Sequence, residues 1–482
     1  MKISEKFNLG KSQFELDFVD VDEQTDTPLF LDPYYISKSE YPFAEQCNET
    51  IKSFFEYLLM LLRENRIDEA KEIFLYLGEP NEVCLGLSKG KPKGKGIGPS
   101  DTESIFNSLI ESKAVKSGIM EDIEDFRIFV KGIDKDKISD MVINIIRKHL
   151  LDYTEEQCNL WNIPMQENVV SGYYWSSASC TWKQDYRKIL VIEDEKKILV
   201  PKRLVSFSQE YTSQKYKQHF VLNFMQNEHL RLQTHLVKER VKDKSKYVTK
   251  KSIEEEIRKK EKIDKDWLAD FTKKHYETFK NFKSDTINNI KVIRNEELTD
   301  EDVNDIIEYL ETTLINIDKG ADSATEYHNT IMGILELIFY PCLCNPVKEY
   351  EINEGRKRVD IRYTNCAESG IFFRIPNQFQ IPCPYIFVEC KNYSRDVKNP
   401  ELDQMIGRFS INRGKVGIIT CRNIENMDLF LERCKDTYRD QQGLIIPLVD
   451  EDIIKMMDTL KREESRNWQG VIEEKINYIT SI

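Results

Sequence analysis

Much that would classify this chain quickly is missing from it. No stretch reaches the roughly 18 consecutive apolar residues of a membrane-spanning helix, and the opening MKISEKFNLGKSQFELDF has no apolar core of the kind a secretory leader carries. The 11 cysteines form no CxxC pair: Cys342 and Cys344 are one residue apart, and Cys366, Cys383, Cys390, Cys421 and Cys434 lie in apolar or strand-like settings. Reduced, buried thiols fit this spacing better than a disulfide framework or a zinc site. The glycine-rich stretch LGLSKGKPKGKGIGPSD lacks the GK[ST] ending of a P-loop. Internal repeats and low-complexity tracts are absent. The reading is of a soluble, cytoplasmic chain with no membrane partner.

At 482 residues the chain has room for two or three domains, because a single core seldom grows past roughly 250 to 300 residues. Its net charge of −13 argues against a surface coated in positive charge, yet leaves room for local basic patches. Two stand out. Lys89, Lys91, Lys93 and Lys95 interleave with Gly86, Gly90, Gly94, Gly96 and Gly98 in a loop that either meets phosphates or is merely solvated. Residues 237–283 hold sixteen Lys and Arg against ten Asp and Glu, a helix-prone segment that either lies along a polyanion or serves as a solvated linker. Three parts follow: a mainly helical region over 1–236 with a recognition or regulatory role, a charged helical linker over 237–285, and a further domain over 286–482.

Within the first part, CNETIKSFFEYLLMLLRENRIDEAKEIFLYLGE reads as two helices, the first capped by Asn48 or Thr50 and the second closed by Gly78. The run DIEDFRIFVKGIDKDKISDMVINIIRKHLLDYTEEQC gives further helices with Ser139 or Asp140 as a cap. Asp134, Asp136 and Asp140 invite a metal cluster, but capping and solvated turns explain them more simply. KILVIEDEKKILVPKRLVSF carries two β-branched runs around a charged turn, which predicts a small β element over 188–207.

After residue 300 the pattern becomes more regular. An amphipathic helix in TDEDVNDIIEYLETTLIN, capped by Thr299, precedes a second in DSATEYHNTIMGILELIFYP, buried through Tyr327, Ile331, Ile334, Leu335 and Ile338. VKEYEIN, RKRVDIRY and PYIFVECK read as strands, followed by the helix NPELDQMIGRFSIN, the strand KVGIITC, the helix NMDLFLERCKDTY and the strand GLIIPLV. The fold class is α/β, with a central mixed sheet flanked by helices.

Charges interrupt the apolar strands at three places: Asp360 in RVDIRY, and Glu389 and Lys391 in IFVECK. Strand side chains alternate faces, so Glu389 and Lys391 share one, and a neighbouring strand can bring Asp360 beside them. Two carboxylates at a sheet end make an oxygen-rich site suited to magnesium, and a lysine alongside can position a water or stabilise charge near a phosphate. The architectural alternative is a partly buried salt bridge between Lys391 and either acid.

These residues resemble the PD-(D/E)xK restriction-endonuclease-like superfamily over about residues 300–450, roughly a third of the chain. The resemblance implies a restriction-endonuclease-like mixed sheet with Asp360, Glu389 and Lys391 as its catalytic core, Asp360 and Glu389 binding Mg2+, and Mn2+ as a substitute. Val359 stands where the family name has proline. A glutamate on the first helix, often added in the family, matches Glu326 best and Glu336 second, and the glutamine on the helix after E-x-K matches Gln404. PELDQMIGRFSINRG looks like modules of bacterial genome-defence proteins, which implies a Mg-dependent endonuclease in restriction or anti-phage defence. Double-stranded DNA is the expected substrate, with RNA open, and a homo-oligomer is compatible. Arg356, Lys357, Arg358, Arg408 and Arg413 fit a polyanionic substrate, although Arg408 can instead pair with Glu401 or Asp403. Phe372, Phe373 and Phe409 read as core. A nucleic-acid-binding or sensing protein that no longer cuts is the alternative.

Overall fold

The computed structural model describes residues 1–87, 99–288, 291–352, 357–461 and 467–481. The Lys89 to Lys95 loop and Arg356 lie outside the described residues. Proline and aspartate set the starts of the two longest N-terminal helices, and both start earlier than expected. Helix α1 (Pro42–Arg63) opens on Pro42, whose fixed φ is already helical and whose missing N–H costs nothing at the first position. The expected caps Asn48 and Thr50 therefore sit inside it, with Thr50 Oγ1 donating back to Gln46 O at 3.1 Å. Helix α2 (Lys135–Trp161) is capped by Asp134, which accepts from Lys137 N, rather than by Ser139 or Asp140. Ser139 Oγ instead accepts from Leu31 N at 3.0 Å, and Asp140 is buried with its carboxyl pushed up to about 9 by burial and by Asp136, Glu79 and Asp26. The small β element is an antiparallel sheet of β1 (Gln166–Val170), β2 (Tyr186–Ile192) and β3 (Glu195–Lys197), its β2–β3 turn made by Glu193 and Asp194 at positive φ.

The charged segment 237–285 packs more closely than a linker. It contains a hairpin of β4 (Lys238–Glu239) and β5 (Lys246–Tyr247), then α3 (Lys250–Arg258), α4 (Lys265–Lys274) and α5 (Tyr276–Asn288). Its few apolar residues fall on one side of the helices: Trp267, Leu268, Phe271, Phe279 and Phe282 are buried, and Phe279 lies 5.1 Å from Phe129 of the N-terminal region. Lys283 completes the seam, 3.3 Å from Asp122 and 3.2 Å from Asp125.

The last part is a layered α/β unit. Helix α6 (Val303–Asn316) is capped by Asp302, not Thr299, and α7 (Ala324–Phe339) follows with the expected buried stripe of Tyr327, Ile331, Ile334, Leu335 and Ile338. Then come β6 (Leu343–Ile352), β7 (Lys357–Asn365), α8 (Gly370–Asn377), β8 (Tyr385–Lys391), α9 (Asn399–Ile406), β9 (Val416–Cys421), α10 (Met427–Arg439), β10 (Leu444–Val449), α11 (Asp450–Leu460) and α12 (Gln469–Thr480). The five strands lie in the order β10-β9-β8-β7-β6: β6, β7 and β8 form an antiparallel meander, while β9 and β10 run parallel to β8. Strands β9 and β10 are buried throughout, as parallel strands covered on both faces require. All eleven cysteines are free.

The N-terminal region docks on α7 and on the edge strand β6. Asp17 accepts from Tyr153 OH at 2.7 Å and from Asn345 N at 3.2 Å, and Tyr41 OH donates to the Asn345 side chain. Glu336 faces this junction, buried to 1 %, its carboxyl raised well above the ordinary value by burial and by Asp17. One turn earlier, Gly333 lies against a buried ion pair, Lys11 to Glu15 at 2.7 Å. Alanine is a better helix former than glycine by about 1 kcal/mol, so an open helix face would gain from Gly333→Ala. Here the added Cβ would meet Glu15 Oε1 at 2.6 Å and Lys11 Nζ at 2.9 Å. Glu15 is held in place because its other oxygen accepts from Ser12 N and Ser12 Oγ at 3.0 Å each. Gly333→Ala is expected to destabilise the protein by about 1–3 kcal/mol through overpacking. A melting temperature at or above that of the wild type would show that the ion pair yields freely.

Candidate active site

Strand β8 is the centre of the sheet, and its last three residues are Glu389, Cys390 and Lys391. The ladder with β7 pairs Val388 with Ile361, so the next step along the two strands sets Asp360 beside Glu389. Asp360 Oδ2 accepts from Cys390 N at 2.8 Å, which ties the β7 carboxylate to the end of β8. On the other side, helix α9 begins with a Pro at its first turn and a Glu401 side chain folded back onto Lys398 N at 2.9 Å. That start aims Gln404 at the strand end. Lys391 Nζ donates to Glu389 Oε2 at 2.9 Å and to Gln404 Oε1 at 3.3 Å, and Gln404 Nε2 lies 3.4 Å from Glu389 Oε2. Asp360, Glu389, Lys391 and Gln404 thus converge.

Glu389 is 1 % exposed, and its Oε1 is buried with no hydrogen-bond partner. Burial, followed by the neighbouring Asp360 charge, pushes its carboxyl up against the opposing pull of Lys391 and Arg408. Burial alone would lower the Lys391 ammonium, but the Glu389 carboxylate and its hydrogen bond outweigh that and leave Lys391 above the usual lysine value. The expected salt bridge is therefore present as well as the expected cluster. Arg408 joins it, with Nε 3.6 Å from Glu389 Oε1, and its ion-pair partner is Glu389 rather than Glu401 or Asp403. Arg413 Nη2 reaches the Arg408 carbonyl at 3.5 Å.

Other expected members stand apart. Glu326 is exposed on α7 and makes no hydrogen bond or ion pair to a described residue, whereas its neighbour Tyr327 is buried. Glu336 faces the N-terminal junction instead. Arg356 and the side chains of Lys357 and Arg358 lie outside the described residues. Phe372 is core, packed edge-on against Phe339, and Phe409 stacks on Phe387, but Phe373, expected in the core, is exposed. Sequence reasoning missed Asn392, which anchors the strand end: its Nδ2 donates to Asp318 O and Gly320 O at 2.9 Å each, and its Oδ1 accepts from Arg422 Nη1 at 3.1 Å. Arg422 also pairs with Asp450 at 2.7 Å, and Tyr327 OH donates to the same carboxylate. The run Asn392–Tyr393 directly after E-x-K was the only signal for it.

Among the described residues no group of three or more His, Cys, Asp or Glu is arranged to hold a metal. The hard-oxygen pair of Asp360 and Glu389, with the unbonded Oε1 of Glu389, nonetheless fits magnesium, which is bound through one or two carboxylates and keeps several waters. Among the described residues no helix is long and apolar enough to cross a membrane. Residues 8–213 match a family model described as a domain of unknown function (DUF8370), under half of the chain and ending before the five-stranded sheet. No curated protein and no solved structure matches the chain.

Removing Lys391 takes the closest cation from a buried carboxylate. Lys391→Ala is expected to cost about 3–5 kcal/mol near neutral pH, the usual result of breaking a buried pair. The Glu389 carboxyl already lies above its ordinary 4.5, and losing Lys391 raises it further. A raised acid gives up stability as pH climbs from the unfolded value through the folded one, so the deficit should shrink as the pH falls and Glu389 takes up a proton. Melting curves at about pH 7 and about pH 5 read this out. A deficit of equal size at both would assign the loss to packing of the lysine stem.

Proposed function

We propose that the C-terminal α/β unit is a metal-dependent nuclease that hydrolyses phosphodiester bonds, with double-stranded DNA as substrate, acting in restriction or anti-phage defence. The observation that carries this reading is the meeting of Asp360, Glu389 and Lys391 at the end of β8, with Gln404 from the next helix hydrogen-bonded to the lysine. Support comes from the sheet: Asp360 lies in β7, E-x-K ends the neighbouring strand β8, and helix α9 follows, as the resemblance to PD-(D/E)xK nucleases implies. Asp360 and Glu389 would hold magnesium or manganese, which when bound polarises the phosphodiester and lowers the pKa of a bound water. Lys391, fixed between Glu389 and Gln404, orients the attacking water and offers positive charge to the phosphate. The defence role rests on the likeness of residues 400–414 alone.

Incubating the protein with plasmid DNA, linear DNA and RNA, each with magnesium, manganese or EDTA, tests the reading. Cleavage of duplex DNA is expected with either metal and none in EDTA, and Asp360→Asn should slow it by a factor on the order of 10² or more. Equal cleavage in EDTA, or no cleavage of any nucleic acid with either metal, overturns it; the second outcome favours a binding protein that does not cut.

A basic surface for the substrate backbone is offered by the β4–β5 hairpin. Lys238, Arg240, Lys242 and Lys244 are all exposed there and make no ion pair to a described residue, although acids outnumber bases in the chain. Changing all four to Gln should weaken duplex binding and flatten its salt dependence, by about 0.9 in log–log slope for each phosphate no longer neutralised. An unchanged slope in a fluorescence-anisotropy titration would return the hairpin to plain solvated surface.

A further inference from the structure

Arg408 occupies an unusual position. It sits two residues past Ile406, the last residue of α9, in a turn closed by Arg408 N to Met405 O at 2.9 Å and Phe409 N to Ile406 O at 3.0 Å. Its side chain is 12 % exposed, and its Nε, 3.6 Å from Glu389 Oε1, lies beyond hydrogen-bond range. Both of those atoms are buried without a hydrogen-bond partner. A guanidinium and a carboxylate thus face each other through the one oxygen of Glu389 that Lys391 does not use. The terminal nitrogens of Arg408 make no hydrogen bond to a described residue, which leaves its planar fork free for a phosphate.

The charges of the site cancel. Counted formally, the two carboxyls of Asp360 and Glu389 are matched by the two cationic side chains of Lys391 and Arg408. A divalent cation held by Asp360 and Glu389 would need Glu389 Oε1 and would meet the Arg408 guanidinium there. We infer that Arg408 is a positioning residue that keeps the cation's place on Glu389 and is displaced when the cation enters, which turns its fork toward the substrate phosphate. This rests on the metal-dependent reading above. The Arg408 backbone need not move, since the turn and Arg413 hold it; only the side chain swings.

Magnesium titrations followed by calorimetry, without nucleic acid, test the inference on wild type, Arg408→Gln and Arg408→Lys. Removing one adjacent positive charge from a largely buried site should tighten magnesium by about tenfold in Arg408→Gln, while Arg408→Lys binds like wild type. Arg408→Met, which keeps the side-chain stem, replaces the Gln variant if that one fails to fold cooperatively. A merely structural arginine would give the opposite sign, because its loss would loosen the site. Equal affinity in all three proteins, or weaker binding in the neutral variant, overturns the inference and leaves the nuclease reading standing. No magnesium binding in any of them overturns both.

Discussion

The burial of Glu389 is the constraint on which the candidate site depends. An acid at 1 % exposure in the central strand of a sheet loses its hydration on every side, and the cost of several kcal/mol must be offset locally. The fold supplies the offset from three elements at once: Lys391 from the same strand, Gln404 from the helix that follows, and Arg408 from the turn beyond it. Asp360 works against it, because a second carboxylate on the neighbouring strand makes ionisation of Glu389 harder. Apolar residues in all these places would pack as well and cost less. Stability alone therefore does not account for the arrangement.

Helix α7 links this site to the rest of the chain. Its first turn carries Tyr327, hydrogen-bonded to the Asp450 that pairs with Arg422 and, through it, reaches Asn392 at the strand end. Its later turns carry Gly333 and Glu336 against Lys11, Glu15 and Asp17 of the N-terminal region. One rigid helix therefore touches both the loop beside the candidate site and the buried polar seam of the N-terminal region.

Local sequence carried a good part of this. The alternation of IFVECK put Glu389 and Lys391 on one face, and the stripe of α7 and the succession of strands along the chain came from periodicity, whereas their order across the sheet did not. Helix starts were less legible, because a Pro at the first position or an Asp further upstream outcompetes an interior Asn, Thr or Ser for the cap. Helix α8 was missed since Pro376 lies inside it, and the packing of 265–282 was hidden by charges around a short apolar stripe. The partner of Arg408 lay beyond reach for a different reason. Sequence spacing offered Glu401 and Asp403, but a residue past a helix end is aimed by the tertiary turn, not by the helix period.

Geometry also separates the two glutamates of α7. Ten residues along a helix amount to about 15 Å of rise and almost three turns, so Glu326 and Glu336 lie toward opposite ends of α7 and cannot both face one site. Glu336 is spent on the junction with Asp17. Glu326 lies at the proper end but points to water, since the neighbouring position is the one buried, as Tyr327. A site with only two protein carboxylates leaves most positions around a bound cation to water and to the substrate's own oxygens. If a cation binds there as proposed, the charge balance at Glu389 matters the more for so few fixed ligands, and the Arg408 guanidinium 3.6 Å from Oε1 is part of that balance.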